Sequence, residues 1–303
     1  MLRMIDSFRP LFAQYGVEIT TPNVVQTLSV EELKALVPQH DGWIIGDDPA
    51  TREVFEAGKA GHLKAAVKWG IGVDNVDFAA CKDLGIPIIN TPNMFGGEVA
   101  DIAVGYVIAL ARETFEIDRG VRAGQWPKPR GISLSGKTVA LVGYGDIGKN
   151  TAKRLLAADM HIVAYDPFAQ PDPAMPQVEM ATWPLGIGEA DFIVINCALT
   201  PSSRHMLNSE ILAKAKPGVR VVNVGRGPII DEPALEAALQ SGQVYSAALD
   251  VFEEEPLPTT STLRSHPNCV FGSHNASNTA DAVARTSEIA IGKLMGFLGV
   301  AKV

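Results

Sequence analysis

Two sets of residues in this chain are placed as if for chemistry: a glycine run that can hold a phosphate, and charged side chains at the ends of apolar runs. The glycine run is Gly143-Tyr144-Gly145-Asp146-Ile147-Gly148. Its first glycine permits a tight turn, its second lets backbone N–H groups approach a pyrophosphate, and its third lets helix and strand pack closely. Spacing alone also fits an ordinary strand-to-helix turn. The flanks decide between the two. An apolar run, Thr138 to Val142, precedes the turn, a helix-like stretch from Lys149 to Ala158 follows it, and a second apolar run, His161 to Tyr165, ends in Asp166. Asp166 lies 18 residues after Gly148, where a carboxylate can accept hydrogen bonds from ribose hydroxyls. Gly143, Gly145, Asp146, Ile147, Gly148 and Asp166 are thus a dinucleotide site. A 2′-phosphate would be repelled by Asp166, and Pro167-Phe168 offers no arginine to receive it, so NAD (NADH) is expected over NADP. Asp146 puts a negative side chain beside the phosphate turn; it can point to solvent while its N–H serves the phosphate.

The charged candidates follow other apolar runs, where an open α/β sheet places its ligands. After Ala65 to Val67 comes Lys68-Trp69-Gly70-Ile71-Gly72-Val73-Asp74, with Asp77 three residues on. Its glycines can expose the Ile71 and Gly72 amides to a carboxylate as an anion nest. The same spacing equally suits a tight turn with Asp74 and Asp77 capping the next helix. Arg226 stands between Gly225 and Gly227 after Val219 to Val222. A planar guanidinium there suits bidentate capture of a carboxylate better than a surface ion pair. Asp250 and Glu253-Glu254-Glu255 leave the next run, although an acidic cluster is ordinarily a solvated loop. His274 follows Cys269 to Phe271; a lone histidine is more often structural, but His40, His62, His161, His205 and His266 lack such a setting.

The elements that must position these groups alternate along the chain. Met4 to Tyr15 reads as a helix and Val17 to Thr21 as a strand. Ser29 to Val37 reads as a helix with Ser29 and Glu32 forming a capping box. Strands are expected at Gly42 to Gly46, Ala65 to Trp69 and Ile86 to Asn90, with a helix at Thr51 to Ala57, so this segment is itself a small parallel α/β domain. Gly96-Gly97 offers a hinge before a long helical stretch, about Glu98 to Ala123, with apolar residues at helical spacing. Strand–helix alternation then continues through Phe192 to Ile195, Glu210 to Ala215, Val219 to Val222, Glu232 to Gln240 and Ser246 to Leu249. A last helix, Thr279 to Leu298, can return to the first domain. The fold class expected is α/β in two domains: a Rossmann-type NAD-binding domain, residues 97–276, inserted into a smaller flavodoxin-like substrate domain formed by 1–96 and 277–303.

Bulk properties bound the partners. At 303 residues the chain suits two domains. A net charge of −8 argues against nucleic acid or an anionic membrane. Cys81, Cys197 and Cys269 have no CxxC spacing, which points away from a disulfide framework or a bound metal and toward a reducing, cytoplasmic setting. Arg3 and Asp6 break any signal-peptide pattern at the start. Ile102 to Ala111 is too short to span a bilayer, which takes about 20 apolar residues.

Together these pieces resemble the D-isomer-specific 2-hydroxyacid dehydrogenase family, from about Trp43 to Thr279. The resemblance rests on Gly70-Ile71-Gly72-Val73-Asp74-Asn75-Val76-Asp77, Asn90-Thr91-Pro92, the glycine turn with Tyr165-Asp166-Pro167, Arg226-Gly227, Leu249-Asp250-Val251, Glu255-Pro256 and His274. The segments Pro217 to Asn223 and Ala234 to Gly242 look especially like the phosphoglycerate dehydrogenase branch. The resemblance implies that Arg226, Glu255 and His274 act together as a triad. His274 would donate a proton to the substrate carbonyl oxygen in reduction and remove the hydroxyl proton in oxidation, which suits an imidazole near neutral pH. Glu255 would bond the other ring nitrogen and stabilise the imidazolium. Arg226 would hold the carboxylate and polarise the carbonyl, helped by the Ile71 and Gly72 amides, with Lys68 as a further anion partner. Asp250 would bond the nicotinamide carboxamide, and Cys197 and Val224 would line the cofactor. Hydride would pass between the nicotinamide and C2 of a small 2-hydroxy or 2-keto acid, with the two domains closing about hinges near residues 97 and 276. The resemblance also implies a homodimer, for which the apolar helix Glu98 to Ala111 is a candidate face; burial in the monomer core is the other reading of that helix.

Departures from the family pattern shape the substrate expectation. The chain begins almost at its first helix, where the family opens with a strand. Phe95 stands where the phosphoglycerate branch has a substrate-facing Asn, and Trp69 where a small residue is usual. Both make the pocket mouth more apolar. The 303 residues hold no counterpart of the C-terminal serine-sensing domain of longer phosphoglycerate dehydrogenases. 3-Phosphoglycerate therefore competes with two alternatives, a glyoxylate/hydroxypyruvate reductase and an apolar 2-ketoacid reductase. From another class, an NAD(H)-sensing binding protein or corepressor could share the fold.

Overall fold

The computed structural model describes residues 1–24 and 27–302. The chain divides into two compact units, 1–94 with 278–303, and 95–277.

In the smaller unit, β1 (Gly42–Ile45), β2 (Ala65–Lys68) and β3 (Ile88–Asn90) form a parallel sheet in that order. Side chains alternate faces along a strand, and two separate apolar clusters use the two faces. Ile45 and Ala66 pack with the helices α2 (Val30–Leu36), α3 (Arg52–Ala60) and α4 (Phe78–Leu84). Ala65, Val67, Ile44 and Ile89 pack with α1 (Ile5–Gln14) and the last helix, Ala280–Leu298. Ser29 and Glu32 form the capping box of α2, as the sequence requires. The segment expected as a strand at Val17 to Thr21 is not one: Val17 and Ile19 pack into the α1 cluster without joining a ladder. Its alternation is met by packing alone.

The larger unit is built on seven strands. They are β4 (Thr138–Val142), β5 (His161–Tyr165), β6 (Glu179–Met180), β7 (Phe192–Ile195), β8 (Val219–Asn223), β9 (Val244–Leu249) and β10 (Cys269–Phe271). They form one all-parallel sheet in the order β10-β9-β8-β7-β4-β5-β6. From β4 the chain winds outward through β5 to β6, then returns to β7 and winds the other way. This is the doubly wound dinucleotide-binding order, with its switch point between β4 and β7. The central strands are nearly wholly buried, as a parallel sheet covered on both faces requires.

The helical stretch expected from Glu98 to Ala123 is two helices, α5 (Gly96–Arg112) and α6 (Thr114–Arg122). The break is Glu113, which takes the left-handed conformation at φ 54°. Nothing in its residue type announces a stop. Its carboxylate instead accepts a hydrogen bond from the Tyr245 hydroxyl at 2.7 Å, an anchor remote in sequence.

Candidate active site

The glycine turn joins β4 to α7 (Asp146–Leu156), so the helix begins three residues earlier than its apolar pattern announces. Gly145 is the N-cap, and Asp146, Ile147 and Gly148 form the first turn, where N–H groups lack intrahelical acceptors. Gly143 sits at φ 94°, and a methyl group there would lie 2.6 Å from the Cys197 nitrogen. On Gly148 a methyl would collide with the Gly143 carbonyl, whereas on Gly145 it would meet nothing within 4 Å. The turn is therefore closed toward the protein and open on the side a pyrophosphate needs, so these residues fit the dinucleotide. Asp166 follows β5, with one oxygen accepting the Tyr144 N–H at 2.8 Å and the other accepting Phe168 and Ala169 N–H at 2.9 and 3.1 Å. It thereby fastens the glycine turn to the loop after β5.

Asp146 does not point to solvent. Its carboxylate lies against Gly96, where a methyl group would overlap it, and accepts from Asn150 Nδ2 at 3.2 Å. Its other oxygen is buried without a hydrogen-bond partner. The missing Cβ of Gly96 is what makes room for this packing of α5 on α7.

Cys197 follows β7 and presses its backbone on both glycine loops: it backs Gly143, and its carbonyl would lie 2.8 Å from a methyl on Gly225. Burial pushes its thiol up to about 11, so it is a neutral lining group at neutral pH. Val224, also buried, lies between Asn223 and Gly225.

The three residues expected to act together, Arg226, Glu255 and His274, lie on the loops that leave β8, β9 and β10. Asn223, fully buried at the end of β8, accepts the Gly225 N–H at 3.0 Å and donates to the Arg226 carbonyl at 2.9 Å. This side-chain bridge shapes the loop that presents Arg226, whose Nη1 donates to the Gly225 carbonyl at 2.9 Å. Gly227 is obligatory: a methyl group there would overlap the Phe252 carbonyl. Glu255 receives the Phe252 N–H on Oε1 at 2.9 Å and bonds His274 Nδ1 through Oε2 at 2.7 Å. Both carboxylate oxygens are thus committed, which fixes the imidazole ring with Nε2 as its second proton-carrying atom. His274 itself adopts φ 54°, and its N–H donates to the Asp250 carbonyl at 2.6 Å.

Asp250 is buried just past β9. Its carboxylate accepts Asn275 N–H at 3.2 Å and Ala276 N–H at 2.9 Å, tying β9 to the His274 loop. Gly272 lies so close that a methyl there would overlap Asp250 and sit 2.6 Å from the Tyr106 hydroxyl. Burial first, and then the Asp250 charge, push the Tyr106 phenol up to about 12, so it stays a neutral donor near this carboxylate. Sequence reasoning named Asp250 but missed Asn223 and Tyr106. A polar residue closing an otherwise apolar strand was the available signal for Asn223; Tyr106 reads only as one more residue on an apolar helix.

In the smaller unit Asp77 caps α4 by accepting the Ala80 N–H at 2.7 Å, so the capping reading holds for that residue. The loop before it is fastened by the Asn90-Thr91 motif. Gly70 N–H donates to Thr91 Oγ1 at 2.8 Å, and Asn90 Nδ2 donates to the Ile71 carbonyl at 3.1 Å. Ile71 is exposed and Gly72 is half-buried. Lys68 is buried, with its ammonium donating to the Gly46 carbonyl at 2.6 Å and 3.4 Å from Asp47. Trp69 donates to Ser287 Oγ at 3.1 Å, and Phe95 is buried at the N-cap of α5. Among the described residues no helix is long and apolar enough to cross a membrane, and no cluster of His, Cys, Asp or Glu could hold a metal ion.

Comparison with known proteins gives the family. Residues 104–276 match the family model for the NAD-binding domain of D-isomer specific 2-hydroxyacid dehydrogenases. A hydroxypyruvate reductase of Thermotoga maritima is 40% identical over 279 residues, covering 90% of each chain. A chloroplastic D-3-phosphoglycerate dehydrogenase of Arabidopsis thaliana is 37% identical over 284 residues; the match takes in 91% of this chain but only 45% of that one. Among solved structures, a Thermus thermophilus protein superposes with a TM-score of 0.88 at 31% identity, covering 99% of this chain and 95% of that one. Family model and relatives define an NAD-dependent oxidoreductase acting on a CH–OH group. The chain belongs to the D-isomer specific 2-hydroxyacid dehydrogenase family.

Proposed function

We propose that this chain reduces a short 2-keto acid to the D-2-hydroxy acid, reversibly, with residues 95–277 carrying NADH. The observation that carries the reading is the committed Glu255–His274 pair at 2.7 Å, on loops that adjoin the Arg226 loop at the ends of neighbouring strands. When bound at the glycine turn, NADH would supply hydride chemistry; the residues here orient the substrate and move the proton. His274 Nε2 delivers the proton to the carbonyl oxygen as charge develops there, and Glu255 steadies the resulting change in the ring. Arg226 would hold the carboxylate, and in the smaller unit the Ile71 and Gly72 amides are the candidate anion nest. Asp250 orients the carboxamide of the nicotinamide.

For the substituent on C3 we favour the free hydroxyl of hydroxypyruvate over a phosphate. The Thermotoga relative that supports it matches over nearly its whole length. The Lys68 ammonium, the candidate phosphate partner, is already bonded to Gly46 and adjoins Asp47, and Phe95 and Trp69 bring apolar bulk. NADH oxidation assayed against hydroxypyruvate, glyoxylate, 3-phosphohydroxypyruvate, pyruvate and branched 2-keto acids tests this. Hydroxypyruvate should give the highest kcat/KM. A preference for the phosphorylated acid would overturn the substrate choice, and NADH binding without turnover of any acid would favour a sensor.

We further propose a cytoplasmic homodimer. Its support is an apolar strip on α5 that the monomer leaves open, Ile102 and Ile108 at 36% and 42% exposure, with Phe115 and Val121 exposed on α6. Three free cysteines fit a reducing compartment. Sedimentation equilibrium should give twice the 32.3 kDa chain mass; a monomer would refute the assembly.

A further inference from the structure

His205 lies in the turn between β7 and α8 (Ser209–Lys214), and it touches both loops that carry Arg226 and Glu255. Its N–H donates to the Pro228 carbonyl at 2.9 Å, in the loop that presents Arg226. Its Nε2 bonds Glu253 Oε1 at 2.5 Å, in the loop that presents Glu255. Those two loops are already in backbone contact at Gly227 and Phe252, and the Phe252 N–H is the group that orients the Glu255 carboxylate. Glu253 adds a bond of its own, donating its N–H to Glu232 Oε2 at 3.1 Å. His205 also holds a left-handed backbone at φ 51°, which a non-glycine residue adopts only against a cost of about 1–2 kcal/mol. The turn around it is wound tightly by Thr200 and Ser203, whose side chains and amides bond one another.

A half-exposed histidine–glutamate pair is, as a charge pair, worth little to stability. Strain kept at such a pair needs another reason. We infer that His205, through Glu253, is a positioning residue that fixes the Arg226 loop against the Glu255–His274 loop. It touches neither substrate nor cofactor; it sets the distance between the group that holds the carboxylate and the group that moves the proton. The inference rests on the reductase reading for its kinetic consequence, but not for its structural one.

The test uses His205→Gly, Glu253→Ala and the double variant of the full chain. Glycine accepts φ 51° freely, so His205→Gly should leave the thermal midpoint unchanged or raised. Its kcat/KM for the preferred 2-keto acid should fall at least about tenfold while NADH affinity stays within about twofold, because misplacement by a fraction of an ångström costs rate rather than cofactor binding. The two single variants should match, and the double should be no worse than either, since both cut the same link. By NMR, the midpoint of the His274 ring titration should fall as the Glu255 contact loosens. Wild-type kinetics with an unmoved His274 titration, or additive losses in the double variant, would overturn the inference. If the wild type turns over no 2-keto acid, the functional reading fails, and the His274 titration alone then decides for or against the positioning role.

Discussion

The glycine turn and the triad stand along the same sheet, yet they are built in opposite ways. At the end of β4 the proposed phosphate grip is made of backbone: Gly143 and Gly148 let the turn close on Cys197 and on itself, Gly145 leaves its outer side open, and the one carboxylate that closes β5, Asp166, spends its oxygens on Tyr144, Phe168 and Ala169 amides. At the ends of β8, β9 and β10 the proposed chemistry belongs to side chains, and Asn223, Asp250 and Glu255 tie down the loops that carry Arg226 and His274. One site fails when a methyl group is added, the other when a functional group is removed.

That contrast can be broken by substitution. Arg226→Lys keeps the charge but loses the planar fork, and kcat/KM for the 2-keto acid should drop by about two orders of magnitude or more with NADH affinity preserved. Steady-state kinetics beside NADH fluorescence titration would show it, and near-normal turnover would remove Arg226 from the site. Gly148→Ala forces a methyl into the Gly143 carbonyl. Overpacking of this kind costs about 1–3 kcal/mol, so NADH should bind roughly tenfold or more weakly, and calorimetry that found unchanged affinity would refute the cradle. Asp166→Asn removes the charge expected to meet the ribose while keeping an acceptor for the Tyr144 amide. NADPH should then close on NADH by about severalfold in kcat/KM, and an unaltered preference would mean that discrimination lies elsewhere.

The two halves also differed in how openly the sequence declared them. The glycine turn was legible because its signal is local: strand, turn, helix and acid lie within one βαβ unit, and Rossmann strand order follows. His274 was not legible by spacing, since what makes it chemical is a carboxylate 19 residues away and a loop bond at Phe252. Only the resemblance assembled that set. Other features escaped for similar reasons. The break at Glu113 depends on Tyr245, far along the chain; β6 is two residues long on a sheet edge; Asp146 turns inward because Gly96 leaves a hollow for it. Val17 to Thr21 failed in the other direction, as an alternating pattern that packing satisfied without a ladder.

The central claim is that His274, held by Glu255, moves the proton while the glycine turn independently holds the cofactor. Single-turnover NADH oxidation with hydroxypyruvate, run on wild type and His274→Gln beside NADH titration of both, tests it most directly. Turnover should fall by about 10²–10⁴-fold in the variant, the usual worth of a general acid, while the two titration curves superimpose. Undiminished turnover in His274→Gln, or loss of NADH binding in parallel with activity, would contradict it.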